Sequence, residues 1–109
     1  MKKHYDIFIE GSLEKADFNF YSQIGAHKLG IDAIYKNGDT RHVEIEAEGE
    51  ESNILAYINY LREGALSRHI ELFRTEQGQF KNINGFTSLK VHKEKFKSLK
   101  RLLKGYKHY

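Results

Sequence analysis

The 109-residue chain has no cysteine, no proline, no tryptophan and one methionine. Without cysteine there is no disulfide framework and no thiolate metal site, which excludes a small secreted disulfide scaffold. The missing proline stands against an average usage of about 5%, which would predict roughly five. No apolar run approaches the roughly 18 residues that a membrane span needs, and no signal-peptide pattern opens the chain. These absences point to a cytoplasmic protein. What is present argues against disorder: 39% of residues are hydrophobic, 30% are charged, and seven Phe and seven Tyr are available for a core. The length suits one domain with one modest core.

The formal charge of +3 averages two unlike parts. Residues 90–109 hold 8 of the 18 Lys/Arg but only Glu94 of the 15 Asp/Glu, a local net of +7. The preceding 89 residues carry the other 10 basic and 14 acidic side chains, a net of −4. An acidic body with a basic tail is an asymmetry that needs a physical reason.

Hydrophobic periodicity orders the body. Tyr5, Ile7 and Ile9 alternate with Asp6, Phe8 and Glu10, predicting a strand that Gly11 and Ser12 break. From Asp17 the period lengthens: Phe18, Tyr21, Gly25, Ala26 and Leu29 share a helical stripe, and Gly30 follows where a left-handed C-terminal residue is wanted. Residues 31–36 form a second strand candidate. Asn37-Gly38-Asp39-Thr40 predicts a tight hairpin, because Asn-Gly tolerates positive φ. Val43, Ile45 and Ala47 alternate with Glu44, Glu46 and Glu48 in a half-buried third strand. Gly49 to Ser52 is a helix entrance rather than a phosphate loop, and its early acids suit the helix dipole. Ile54, Ile58 and Leu61 follow at helical spacing, with Leu55 and Tyr57 widening the stripe and Gly64 ending it. Residues 70–76 predict a strand, 77–85 a loop and 86–91 a short final strand. Phe96, Leu99, Leu102, Leu103 and Tyr106 then mark an amphipathic helix whose other face is almost all Lys and Arg. The order β-α-β-β-α-β predicts an α+β, ferredoxin-like two-layer sandwich, with a short extra strand and a C-terminal amphipathic helix.

Several segments carry a resemblance. Leu29-Gly30-Ile31, Ile34-Tyr35-Lys36-Asn37, Val43-Glu44-Ile45-Glu46-Ala47-Glu48-Gly49, the Leu55/Ile58/Leu61 spacing and Phe80 to Phe86 resemble, in order and spacing, the acylphosphatases. The resemblance covers residues 4–91. It implies an acylphosphatase-like domain over residues 1–91, followed by a basic amphipathic helical extension over 92–109. The family hydrolyses acyl phosphates. Its chemistry uses a cradle of backbone N–H groups between the first strand and first helix, an arginine for the phosphoryl oxygens, and an asparagine that orients the attacking water.

Carried over by position, the water-orienting asparagine is Asn37, and the arginine position holds Asn19. The phosphate loop becomes Ser12, Leu13, Glu14, Lys15, Ala16, Asp17 and Phe18, with Lys15 and Asp17 where the family has glycines. A nest of N–H groups relies on glycine for close backbone approach. Losing a charged partner to a bound anion typically costs about 2–5 kcal/mol, roughly 30- to several-thousand-fold. The resemblance thus implies a hydrolase fold with impaired or absent hydrolysis, a pseudoenzyme. The alternatives are an active divergent acylphosphatase using an unrecognised cation, or a nucleic-acid or partner-binding module acting through the tail. Asn37 also has a purely structural explanation as a turn residue.

No cofactor or metal is implied. His42 and Glu44 share a strand face, but without cysteine or a second close histidine they fit an exposed polar face better than a ligand pair. A small acyl phosphate or another anion is the expected ligand. The tail suits docking on the domain's own sheet, or on another copy, better than nucleic acid or membrane. By alternation the open sheet face should carry Asp6, Phe8, Ile34, Glu44, Glu46, Glu71 and Phe73, with Phe96, Leu99 and Leu103 available to cover it.

Overall fold

The computed structural model describes residues 1–90; the expected C-terminal helix lies outside the described residues. The elements are β1 (Lys2–Gly11), α1 (Phe18–Leu29), β2 (Asp32–Asn37), β3 (His42–Glu50), α2 (Glu51–Glu63), a 3-10 turn (Ser67–His69), β4 (Ile70–Gly78) and β5 (Phe86–Lys90). The strands form one five-stranded sheet in the order β4-β1-β3-β2-β5, antiparallel except where β5 runs parallel to β2. Both helices pack on one face, as the α+β reading requires.

The core follows the two periodicities. Ile7, Ile9, Ala33, Tyr35, Val43, Ile45 and Ala47 face the helices, which contribute Phe18, Ala26, Ile54, Tyr57, Ile58 and Leu61. Leu55 departs from the expected stripe and is 50% exposed, since it lies about 100° around the helix from Ile54. Gly30 ends α1 at φ 68, as its position after the last apolar residue predicts.

The helices lock through a reciprocal pair. The Tyr21 hydroxyl donates to the Tyr60 carbonyl and the Tyr60 hydroxyl to the Tyr21 carbonyl, both at 2.8 Å, with the rings stacked 4.3 Å apart. Gly25 makes this approach feasible, because a Cβ there would meet the Tyr60 ring at 2.1 Å. Gly25→Ala should therefore cost about 1–3 kcal/mol of stability through overpacking. A denaturant midpoint lowered at unchanged slope would show it.

Two expectations change. Phe73 lies opposite Ile9 and packs against the core, with the Arg62 guanidinium 5.7 Å above its ring, so it is not on the open face. The pairing of β1 with β4 shifts register at Glu10/Gly11, leaving Glu71 outside the ladder between Ile70 and Leu72. That extra residue turns Ile70 and Phe73, three apart, toward the same side and sends Leu72 and Arg74 to the other. The second change concerns the hairpin. Neither Asn37 nor Gly38 has positive φ, and Asn37 is the last residue of β2, paired with Val43 and Lys90. The turn is a longer loop in which the Gly38 N–H donates to the His42 carbonyl and the Asp39 carboxylate accepts the Arg41 and His42 N–H groups. Asp39 thus supplies the turn chemistry assigned to Asn37.

Candidate functional site

The end of β1 and the start of α1 are held by backbone contacts that require Gly11. Its φ is 155°, and a Cβ there would lie 2.0 Å from the His69 carbonyl oxygen. Its N–H donates to the Arg41 carbonyl and that of Ser12 to the His69 carbonyl, anchoring the loop to the hairpin and the 3-10 turn. Leu13, 2% exposed, plugs the loop into the core. The Asp17 and Phe18 N–H groups turn inward to the Glu14 and Leu13 carbonyls. Asp17 caps α1 in the left-handed region, at φ 55 and ψ 50, with no side-chain cap bond. Glycine adopts that conformation at no steric cost, whereas a residue with a side chain pays for it.

This geometry brings most of the expected residues together. A cavity of about 140 Å³ is lined by Glu14, Asp17, Asn19, Asn37 and Asp39, with Leu13, Phe18, Tyr35 and Val43 as its apolar walls. Ser12, Lys15 and Ala16 are in the loop but not on the cavity wall, and Lys15 is exposed. The Asn19 side chain is tied down, its Oδ1 accepting a hydrogen bond from the Ser88 hydroxyl of β5 at 3.0 Å.

The electrostatics are those of an acidic pocket. Among the described residues no Lys or Arg lines the cavity, while three carboxylates do. Burial pushes the Asp39 carboxyl up, but hydrogen bonds from the Arg41 N–H and from His42 outweigh it and hold Asp39 below the usual carboxylate range. Burial, and secondarily the Asp17 charge, push the Tyr35 phenol far above its ordinary value, so it stays protonated. An adjoining cavity of about 310 Å³ shares Glu14, Asn37 and Asp39 and brings in Arg41 and Lys90. Sequence reasoning missed Asp39, Arg41 and Lys90 as site residues, because their approach depends on the hairpin bend and on the parallel pairing of β5 with β2.

The open face of the sheet holds a second charged group. Glu46 was expected on the face left open to water, yet it is 4% exposed, and Glu48, two residues on along the same strand, is 1% exposed. The loop after β4 covers them: Glu48 accepts the Lys81 and Ile83 N–H groups at 2.6 Å, and Lys81 Nζ reaches Glu46 at 2.7 Å. His4, 1% exposed, faces Glu48 through Nδ1 at 2.7 Å and Asp6 through Nε2 at 3.0 Å. The donor atoms of His4, Asp6 and Glu46 lie within 4.8 Å of one another, a spacing that could hold a cation. Lys36 and Lys81 already neutralise Glu46. His42 Nδ1 lies 2.8 Å from Asp39 Oδ1.

Acid should weaken this network. Burial raises both carboxyls, but the Lys81 and Ile83 amides with His4 for Glu48, and Lys36 with Lys81 for Glu46, bring them net below their ordinary value. A depressed folded-state value gives stability that is full above the unfolded pKa near 4.3 and is lost as pH falls through the folded values. The melting temperature should therefore drop between about pH 5 and pH 3, and Glu48→Gln should flatten that slope.

The fold has known counterparts. The family model described as Acylphosphatase matches residues 5–88. An acylphosphatase of Bacillus pumilus is 28% identical over 74 residues, covering 68% of this chain and 82% of its own length. The acylphosphatase structure from Coxiella burnetii superposes with a TM-score of 0.73 at 19% identity, covering 81% of this chain and 93% of that one. That from Bacillus subtilis gives 0.72 at 22% identity, covering 82% and 99%. With the profile running from within β1 into β5, and the fold shared over nearly the whole length of those two enzymes, the chain belongs to the acylphosphatase family.

Proposed function

We propose that this protein keeps the site plan of an acylphosphatase but has lost efficient acyl-phosphate hydrolysis, because its phosphate-binding position is Asn19. One observation carries the reading: the cavity between loop 12–18 and Asn37 is lined by Glu14, Asp17 and Asp39, with no cationic side chain on its wall among the described residues. Hydrolysis adds water across the bond between phosphorus and the acyl oxygen, and the transferred group is anionic throughout. Catalysis of such transfers is mostly positioning and charge stabilisation. Asn37 fits the positioning role, since β2 delivers it to the cavity without any turn requirement. Asn19, neutral and bonded to Ser88, offers no charge to the phosphoryl oxygens.

A second reading has its own support. Arg41 and Lys90 line the adjoining cavity, and the N–H groups of Glu14, Lys15 and Ala16 donate to nothing among the described residues. An acyl phosphate placed across both cavities would meet those cations, although Arg41 is engaged by Glu71.

Turnover of benzoyl phosphate by the purified chain separates the two. The first reading expects kcat/KM roughly 30- to several-thousand-fold below that of an acylphosphatase with the arginine in place. Activity comparable to such an enzyme, and lost on Arg41→Ala or Lys90→Ala, would establish the second.

A further inference from the structure

We infer that the sheet face opposite the helices is the docking surface for this chain's own residues 91–109. The face is acidic and partly apolar; the loop after β4 covers Glu46 and Glu48, while Phe8, Ile34 and Glu44 stay partly exposed. Reading across it, Arg74, Phe8, Glu44, Lys36 and Leu89 form one row of cross-strand neighbours. The next row is Glu76, Asp6, Glu46, Ile34 and Thr87. Leu72 and Leu89, at its two edges, are 49% and 47% exposed. Apolar side chains therefore run from edge to edge through Phe8 and Ile34, interleaved with carboxylates.

Its positive charges are already committed. The Arg74 guanidinium lies 4.6 Å over the Phe8 ring, and Lys36 and Lys81 both pair with Glu46. Glu44 sits mid-sheet between Phe8 and Lys36. No described side chain hydrogen-bonds it, and burial raises its carboxyl above the usual range, outweighing the attraction of Lys36. A cation delivered from above the sheet would meet this group.

Residues 91–109 supply the matching chemistry. They hold seven Lys/Arg against Glu94, and Phe96, Leu99, Leu103 and Tyr106 recur at helical spacing. Their starting point also fits. Lys90 ends β5, an edge strand, and the preceding Leu89 faces the open side. Crossing from β5 to β4 takes four strand spacings, about 19 Å. A helix over residues 95–107 would be about 20 Å long. Its apolar stripe would lie on Phe8, Ile34, Leu72 and Leu89, while flanking lysines reach down to Glu44, Asp6 and Glu76, their stems covering apolar surface. This accounts for the opposed charges of body and tail.

The chain's lack of cysteine makes the test clean, because one introduced thiol is the only reporter. Ile34→Cys in the full chain, treated with an aromatic disulfide reagent, should react at least about tenfold more slowly than the same thiol in a chain also carrying Leu99→Glu and Leu103→Glu. The slow rate should not change with protein concentration. Equal rates would overturn the proposal. Protection that grows with protein concentration would assign the face to a second copy, and protection seen only with added DNA or anionic vesicles would assign it to those partners. Wild-type chain coupled with a carbodiimide gives an independent measurement. Intramolecular isopeptide bonds from Lys97, Lys100 or Lys104 to Glu44, Asp6 or Glu76 are expected, and coupling confined to other carboxylates would refute the docking.

Discussion

Asn19→Arg combined with Asp17→Gly and Lys15→Gly should raise benzoyl phosphate hydrolysis by at least about 100-fold, within the range that a restored charged contact to a bound anion spans. Each change has a structural warrant. Position 19 lies in the first turn of α1, on the cavity wall with Asn37, so a guanidinium there would face the anion. Position 17 has φ 55, where glycine is at ease, and its replacement also removes one of three carboxylates from the wall. Position 15 is exposed in the loop, and glycine there lets the backbone approach the ligand more closely. The gain should appear mainly in kcat if the arginine stabilises the transition state, and mainly in KM if it only binds. No gain, with the fold intact, would mean that the phosphate position is elsewhere, and would turn attention to Arg41 and Lys90.

The second large effect concerns stability. Glu48→Ala should cost about 3–5 kcal/mol, the usual penalty for removing one member of a buried charged network. Three donors lose their acceptor at once: the amides of Lys81 and Ile83 and His4 Nδ1. His4 and Glu48 are each 1% exposed, so water does not replace the lost partner without opening the structure. Glu48→Gln, which keeps one carbonyl acceptor, should cost less. Chemical denaturation at pH 7 measures both. A loss below about 1 kcal/mol for Glu48→Ala would mean that the loop 79–85 is not anchored through this carboxylate.

Glu48 also shows where reading the chain stops. The alternation of Glu44, Glu46 and Glu48 with Val43, Ile45 and Ala47 assigns the strand and its two faces correctly. It says nothing of what lies above the glutamates. A polar face is solvated only if no other segment returns to it, and here a loop more than 30 residues distant does. His4 escaped notice for the same reason. Its burial depends on Glu48 across the β1/β3 pair and on the approach of Gly78 from β4.

The two corrected expectations differ in kind. At the hairpin, Asn-Gly is a sound local signal, yet the extra reach of Asp39 to the Arg41 and His42 amides offers a longer loop with its own satisfied donors. Asn37 thereby stands at the end of β2, on the cavity wall. At β4, Ile70, Leu72 and Phe73 give no clean period of two. The irregular register opposite Glu10 and Gly11 decides which of them face the core, and such a shift is a property of the pair of strands.

The absences at the outset bounded the protein firmly. A chain without cysteine has no disulfide to hold it, so packing, backbone ladders and side-chain networks carry its structure, and the amino-acid order determined much of the first two. Strand and helix periods, Gly30 as a helix end and the family resemblance were all visible before any coordinates, because each is a local pattern. The tertiary structure decided what meets across the fold. Asp39 joins Glu14 and Asp17 around the cavity, Arg41 and Lys90 stand beside it, and Glu46 and Glu48 are buried under a returning loop. Those outcomes depend on strand register, a bulge and loop closure, which set distances between residues far apart in the chain.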